Sequence, residues 1–315
     1  MALGLRTPDL TLAPRYVDGA QPTDGRQPGG PLLRVRVIPG LFEEKVYAGF
    51  VDRLQALGRP WRAFAYDWRR DNAETAARFA AFVAAVRRDF GGGPVDIVAH
   101  SMGCLITLAA LHDGMPGVER VLLAAGPLRG GVGFLDDMHA GTRSGLNGRV
   151  LAPAVLATFP SVYTFFPLHG ARLLDEQGHA LEVDLYAPDA WKGYRLGIHG
   201  RGPVSEAFDA FLAQTLARAK AFRQKLEAPI AAYPAITVLV GKGHPTLSAI
   251  RGTRQPAGWT WDVRGGERSD GDGRVCAEHA IPPAGIPYRE ATTTLGHADV
   301  LNDPWVYDYL TKEIP

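Results

Sequence analysis

The sequence predicts an α/β fold: a mostly parallel central sheet flanked by helices, with a large inserted cap. Three observations predict it. From Leu32 onward, short strand-like runs alternate with helix-like stretches. The alternation stops between about Leu128 and Pro234, and it resumes at Ile236 before a closing helical stretch, Asp303 to Ile314. Strand, helix, strand in this rhythm implies parallel neighbours joined by right-handed crossovers. The expected organisation is a core of residues 31–127 and 235–315, a cap or lid of residues 128–234, and a flexible lead-in of residues 1–30.

The lead-in is expected because Gly19 to Gly30 is rich in Gly, Pro, Gln and Asp, with almost nothing to bury. Leu33 to Ile38 alternates apolar residues with Arg34 and Arg36 and reads as a strand, Val46 to Leu57 as a helix, and Trp61 to Tyr66 again as a strand. Glu74 to Phe90 sets Phe79, Phe82, Val83, Val86 and Phe90 on one helical face, with Arg78, Arg87 and Arg88 off it. Val95 to Ala99 is a buried-type strand, Met102 to Leu111 an apolar helix, and Val118 to Ala125 another strand. Within the cap stretch lie an aromatic cluster, Phe159 to Phe166, and a long helix, Val204 to Leu226. Ile236 to Val240 resumes the sheet, Trp259 to Val263 reads as a strand or hairpin arm, and Glu290 to Thr294 precedes the last loop.

Composition narrows the function classes. The 315 residues are 46% hydrophobic and 21% charged, enough apolar surface for a large core without a folding partner. A net charge of +1 supplies no broad basic surface, so no nucleic-acid partner is expected. Two cysteines, Cys104 and Cys276, cannot build a disulfide framework. Met1 to Arg15 lacks the basic start and apolar run of a secretory signal, and no apolar stretch reaches membrane-spanning length, so a cytoplasmic location is expected. The histidines lack paired ligand spacing, so neither a metal nor another cofactor is expected. Nothing specifies an oligomeric state.

The strongest local signal is Val95-Asp96-Ile97-Val98-Ala99-His100-Ser101-Met102-Gly103-Cys104-Leu105. A buried strand runs into a serine with small residues two positions away on each side, and a helix follows at once. A cramped strand-to-helix turn of this kind pushes the serine hydroxyl out above the sheet, as in the α/β-hydrolase fold. Such a hydroxyl needs a histidine to take its proton and a carboxylate to hold that histidine's tautomer, in the chain order Ser, acid, His. Asp272 sits between glycines in Asp270-Gly271-Asp272-Gly273, and His297 follows the last strand-like run, so Ser101, Asp272 and His297 are the candidate catalytic residues. Asp270 rivals Asp272. His279 rivals His297 but follows Asp272 too closely to admit a strand, and His100 and His112 read as structural because neither follows the acid. An oxyanion would be held by backbone N–H groups, one from Met102 and one from the turn after the first strand, at Leu41 with Phe42 behind it.

With those residues identified, the chain resembles the lecithin:cholesterol acyltransferase family, which includes lysosomal phospholipase and phospholipid:diacylglycerol acyltransferases. The matching motifs are Val37-Ile38-Pro39-Gly40, Tyr66-Asp67-Trp68-Arg69, His100-Ser101-Met102-Gly103-Cys104-Leu105, Gly271-Asp272-Gly273 and Gly296-His297, with a looser match at Pro160-Ser161 through Phe166-Pro167. Arg274 stands where the family usually has threonine. The resemblance implies an α/β-hydrolase core and acyl-ester chemistry on lipid-like substrates. It implies a Ser101, Asp272, His297 triad with Leu41 and Met102 as oxyanion donors. Tyr66, Asp67, Trp68 and Arg69 would brace the site or touch substrate. The Phe159, Tyr163, Phe165 and Phe166 cluster fits an acyl-pocket wall, a surface making transient membrane contact, or cap core. The reaction expected is ester hydrolysis through an acyl-enzyme; transfer to an alcohol and a catalytically silent ligand-binding relative are the alternatives.

Overall fold

A computed structural model describes residues 9–12, 26, 28–30, 34–38, 42–45, 47–144 and 147–311. The first strand, β1 (Arg34–Ile38), forms an antiparallel hairpin with β2 (Phe42–Lys45). Helix α1 (Ala48–Ala56) follows, then α2 (Asn72–Asp89), whose first turn is closed by the Asp71 carboxylate accepting from the Ala73 N–H. Glu74 in the first turn of α2, and Arg87 and Arg88 in its last, complement the helix dipole. β3 (Val95–His100), α3 (Met102–His112) and β4 (Val118–Ala124) form the expected strand, helix, strand unit, with β3 and β4 parallel.

The segment between β4 and the next strand of the parallel sheet opens with α4 (Gly133–Ala140), a small hairpin of β5 (Thr142–Ser144) and β6 (Asn147–Leu151), and the single turn α5 (Pro153–Leu156). A 3-10 turn at Pro160–Phe165, β7 (Leu173–Leu174), α6 (Pro188–Gly193) and the long α7 (Glu206–Glu227) complete it. Ser205 caps α7 by accepting from the Phe208 N–H, and Glu206 and Asp209 lie in its first turn. Then come β8 (Ala235–Gly241), a hairpin of β9 (Thr246–Gln255) and β10 (Gly258–Ser269), β11 (Arg289–Thr293) and the closing helix α8 (Pro304–Thr311).

Strands β11, β8, β4 and β3 lie side by side in that order, all parallel. Both faces of β4 and β8 are buried, and their side chains alternate between two cores as pleating requires. Val121, Leu123, Val238 and Val240 face a core built with α2 and α3, whereas Leu122, Ala124 and Leu239 face one built with α1 and α8. A third apolar cluster gathers Leu135, Phe159, Tyr163, Phe166, Trp191 and Leu216 around the start of α7. Further along α7, Phe222 and Leu226 enter the α2 and α3 core, so this helix joins the two bodies.

Several expectations change. Trp61 to Tyr66 is not a strand: residues 60–67 have no regular secondary structure. Its alternation is nevertheless real, because Phe64 stacks on Tyr66 at 5.5 Å and packs on Phe79 and Phe82 of α2. A period of two reports which side chains turn inward, not whether the backbone finds a partner. β1 pairs with β2, and among the described residues it joins no strand of the parallel sheet. β9 went unread because its polar residues hide a strand that pairs antiparallel with β10 and parallel with β7. Through Leu247, Ile250 and Val263 this hairpin packs into the third cluster, alongside Leu135, Phe159 and Trp191. Leu12, inside the expected lead-in, is 2% exposed in the same cluster, and its N–H donates to the Thr158 hydroxyl. Among the described residues no helix is long and apolar enough to cross a membrane, and no group of three or more His, Cys, Asp or Glu could hold a metal ion.

Candidate functional site

The site begins with one strained residue. Between the end of β3 and the first turn of α3 stands Ser101 alone, at φ 54° and ψ −124°. The left-handed region is costly for an L-residue, by about 1–2 kcal/mol, and persists only where surrounding bonds impose it. Here the Ser101 N–H donates to the Ala124 carbonyl of β4, and its carbonyl accepts from the Cys104 N–H. The small neighbours play unequal parts. A methyl group on Gly103 would sit 3.9 Å from the Ala99 methyl, an ordinary contact, so alanine two residues before the serine is readily accommodated.

The tight position is Gly126, which sequence reasoning missed. A Cβ there would fall 2.4 Å from the Cys104 Cβ and 2.8 Å from its Sγ. Gly126→Ala is therefore expected to destabilise the fold by about 1–3 kcal/mol by overpacking the elbow, read as a lower urea midpoint at unchanged slope. Cys104 is fully buried behind the elbow, and burial pushes its thiol pKa up, so it is inert packing.

Around the elbow the three candidate side chains meet. The His297 Nε2 lies 2.9 Å from the Ser101 Oγ, and its Nδ1 lies 2.7 Å from the Asp272 Oδ2. A carboxylate only accepts, so the Nδ1 carries the proton and the Nε2 is the acceptor facing the serine hydroxyl. Asp272 is 3% exposed, and its Oδ1 accepts from the N–H groups of Arg274 (2.8 Å) and Val275 (2.6 Å). Burial raises its pKa, but the His297 hydrogen bond and charge, with the two backbone donors, outweigh that and hold it below the usual aspartate value. Gly241, at the end of β8, makes the room: a Cβ there would lie 2.4 Å from the Asp272 Cβ. Asp270, the rival acid, instead accepts from the Gly243 N–H.

His297 has far to reach. β11 and β3 are at opposite edges of the four-stranded sheet, about 14 Å apart at ~4.8 Å per strand, so its loop must arch back over the strand ends. His100 holds that loop. Its Nε2 donates to the His297 carbonyl (2.8 Å) and its Nδ1 accepts from the Tyr47 hydroxyl (2.7 Å). The Tyr47 hydroxyl stays protonated, its pKa pushed up to about 12 by burial. The His297 N–H in turn donates to the Asp272 carbonyl, and the His244 Nε2 donates to the Thr294 carbonyl. Neither Tyr47 nor His244 carried a sequence signal.

Burial, then the nearby His297, lowers the His100 pKa to about 3. The folded value lies below the unfolded one, so the unfolded chain binds the extra proton between about pH 6.5 and 3. This contribution to stability is complete above pH 6.5 and is lost as pH falls through that window, by up to about 1.4 kcal/mol per pH unit. Urea unfolding from pH 7 to pH 4 is expected to show that slope, flattened in His100→Gln.

An apolar cavity of about 250 Å³ opens at the Ser101 hydroxyl, with Trp68, Met102, Phe134, Phe165 and Leu247 among its lining. Met102 is the first residue of α3, so its N–H belongs to the positive end of a helix. Leu41 lies outside the described residues, and Phe42 is described only as the start of β2. Of the Tyr66-Asp67-Trp68-Arg69 motif, Trp68 reaches the cavity, 38% exposed and edge-on to Phe159. Asp67 and Arg69 form a two-pronged ion pair beside it, Nε to Oδ1 at 2.8 Å and Nη2 to Oδ2 at 2.7 Å. Tyr66 packs against Phe64 and the α2 and α3 core. The aromatic cluster divides: Phe159, Tyr163 and Phe166 are buried in the third core, and Phe165 lines the cavity against Phe134. Arg274 also lines the cavity, stacked over Phe134 and paired with Asp137 of α4. His279 forms part of the cavity wall, and His112 is structural, held by the Lys225 carbonyl and the Tyr233 hydroxyl.

The model of the alpha/beta hydrolase family matches residues 29–298. The chain belongs to that family. No curated protein matches this α/β hydrolase. Among solved structures, a chain of the Tle4–Tli4 complex superposes with a TM-score of 0.54 at 14% identity, over 89% of this chain and 72% of that one. The likeness is one of fold. The mature lipase BlEst2 of Bacillus licheniformis matches at a TM-score of 0.36 and 15% identity, over 76% of this chain and 73% of that one.

Proposed function

We propose that this α/β hydrolase is a serine-dependent acyl-ester hydrolase of lipid-like esters, acting through an acyl-enzyme on Ser101. The observation that carries the reading is the continuous hydrogen-bonded chain from the Ser101 Oγ through His297 to Asp272, with Ser101 lining an apolar cavity. As the Oγ attacks the ester carbonyl, its proton passes to the His297 Nε2, and Asp272 stabilises the imidazolium. The tetrahedral oxyanion is held by the Met102 N–H, and the family resemblance adds Leu41 as second donor. The leaving alcohol takes the proton from His297, and a water attacking the acyl-enzyme repeats the sequence in reverse. A cavity of about 250 Å³ is below the ~300–1,000 Å³ of typical small-molecule pockets. It therefore holds one arm of a lipid and leaves the rest outside, past Trp68.

Transfer to an alcohol uses the same acyl-enzyme, and the motifs shared with the lecithin:cholesterol acyltransferase family support it as the second reading. The test is covalent labelling with a fluorophosphonate, expected to be complete in the unmodified protein and absent in Ser101→Ala. A well-folded protein that never labels would point to a ligand receptor instead. Product analysis with a short-chain ester and an added alcohol then separates free acid from new ester.

A further inference from the structure

A second cavity, of about 210 Å³, adjoins the first and shares Gly131 and His279 with it. Its lining includes Arg129, His169, Arg172, Ser248 and His279 and, among the described residues, no carboxylate. The two arginines keep their charge in distinct ways. The Arg129 Nε and Nη2 both donate to the carbonyl of Pro282, at 3.1 and 3.0 Å, a neutral acceptor that fixes the guanidinium without cancelling it. Arg172 pairs with Glu267 at 2.7 Å, but Arg251 approaches the same carboxylate at 3.7 Å, so two cations share one anion. Behind the wall, Arg223 is fully buried and donates to the Pro127 and Leu128 carbonyls.

The positive field reaches the shared wall. Burial lowers the His279 pKa first; the exposed Glu278, 3.8 Å away, opposes it, and the charges of Arg129, Arg223 and Arg172 then add to the lowering. Gly131 keeps that wall thin. A Cβ on it would lie 2.9 Å from the His279 Nδ1, so a larger residue there would push the imidazole from its place between the two cavities.

We propose that this second cavity binds an anionic group, phosphate or carboxylate, carried by the same ester whose carbonyl Ser101 attacks. Guanidinium forks match the paired oxygens of either anion, and the Ser248 hydroxyl is a neutral donor beside them. The proposal rests on the esterase reading of Ser101 and narrows its substrates to esters with a negative charge close to the reacting bond.

Two matched pairs of substrates test it and locate the charge. 4-Nitrophenyl valerate against mono-4-nitrophenyl glutarate places a carboxylate on the acyl arm. Dihexanoylglycerol against dihexanoylglycerol phosphate places a phosphate on the alcohol side. In Arg172→Gln, the ratio of kcat/KM for the anionic to the neutral ester is expected to fall about tenfold in at least one pair, by loss of a charge-assisted hydrogen bond. The pair that responds identifies the source. Arg172 is half exposed and tolerates the change; Arg129→Gln, which also frees the Pro282 carbonyl, is the second variant. Ratios unmoved beyond about twofold in both variants would overturn the proposal.

Calorimetric titration with inorganic phosphate keeps the two failures apart, because it requires no turnover. Phosphate binding that is lost in Arg172→Glu, in a protein that neither labels nor hydrolyses any ester, would retain the anion site and reject the esterase. Hydrolysis of neutral esters with unmoved ratios would do the opposite.

Discussion

Replacing Ser101 with alanine is expected to lower kcat on a short-chain ester by about six orders of magnitude, the loss that follows when the nucleophile of such a relay is removed. On the proposed mechanism the hydroxyl is the atom that bonds to the acyl carbon, and the His297 Nε2, 2.9 Å away, is the acceptor placed to take its proton. Alanine occupies the same backbone well at φ 54°, so the elbow, its bonds to Ala124 and Cys104, and the cavity should stay as they are. Urea unfolding is expected to change by less than about 1 kcal/mol, the usual range for removing a side chain that supports no packing. Active-site titration must accompany the kinetics, since a trace of unmodified protein would mask the loss. Ester hydrolysis surviving within tenfold in a clean preparation would remove Ser101 from the mechanism.

Asp272→Asn comes second, at about 10⁴-fold in kcat near neutral pH. The amide fits the same space. Its oxygen can still accept from the Arg274 and Val275 N–H groups, but its NH₂ then faces the His297 Nδ1. A donor there requires the Nδ1 to accept, which moves the ring proton to the Nε2 and leaves nothing to take the proton from Ser101. The defect is one of tautomer, not of position, so fluorophosphonate labelling should slow in step with kcat while the fold persists. Asp270→Asn is the control. Its carboxylate serves the Gly243 N–H at the loop's surface, and the change should leave kcat within about threefold. Equal losses in the two variants would mean that the loop as a whole, not the one carboxylate, is what the histidine needs.

Much of this was legible because it is local. The run from Val95 to Leu105 specifies a buried strand, a serine between small residues and an apolar helix, and the structure has β3, Ser101 at positive φ and α3 there. The long helix expected from Val204 to Leu226 is likewise present, as α7. The misses are of another kind. Trp61 to Tyr66 has the alternation of a strand yet pairs with no strand among the described residues, whereas β9 has little alternation and pairs on both sides. Tyr47, Gly126, His244 and Gly241 carry no motif, since each matters only through a neighbour distant in sequence. His100 is structural, as its place before the acid suggests, and what the sequence does not show is that the structure it holds is the histidine loop.

Sequence alone determined the class of fold, the residue types of the relay and their order along the chain, because periodicity and turn chemistry act over a few residues. Tertiary structure decided that His297 and Asp272, not His279 and Asp270, complete the hydrogen-bonded chain to Ser101. Ser101 and His297 are 196 positions apart. What joins them is the strand order β11, β8, β4, β3, together with a loop pulled back across the sheet by the His100 imidazole and the Asp272 carbonyl. Packing of that range is fixed by the whole core at once, and no window of sequence contains it.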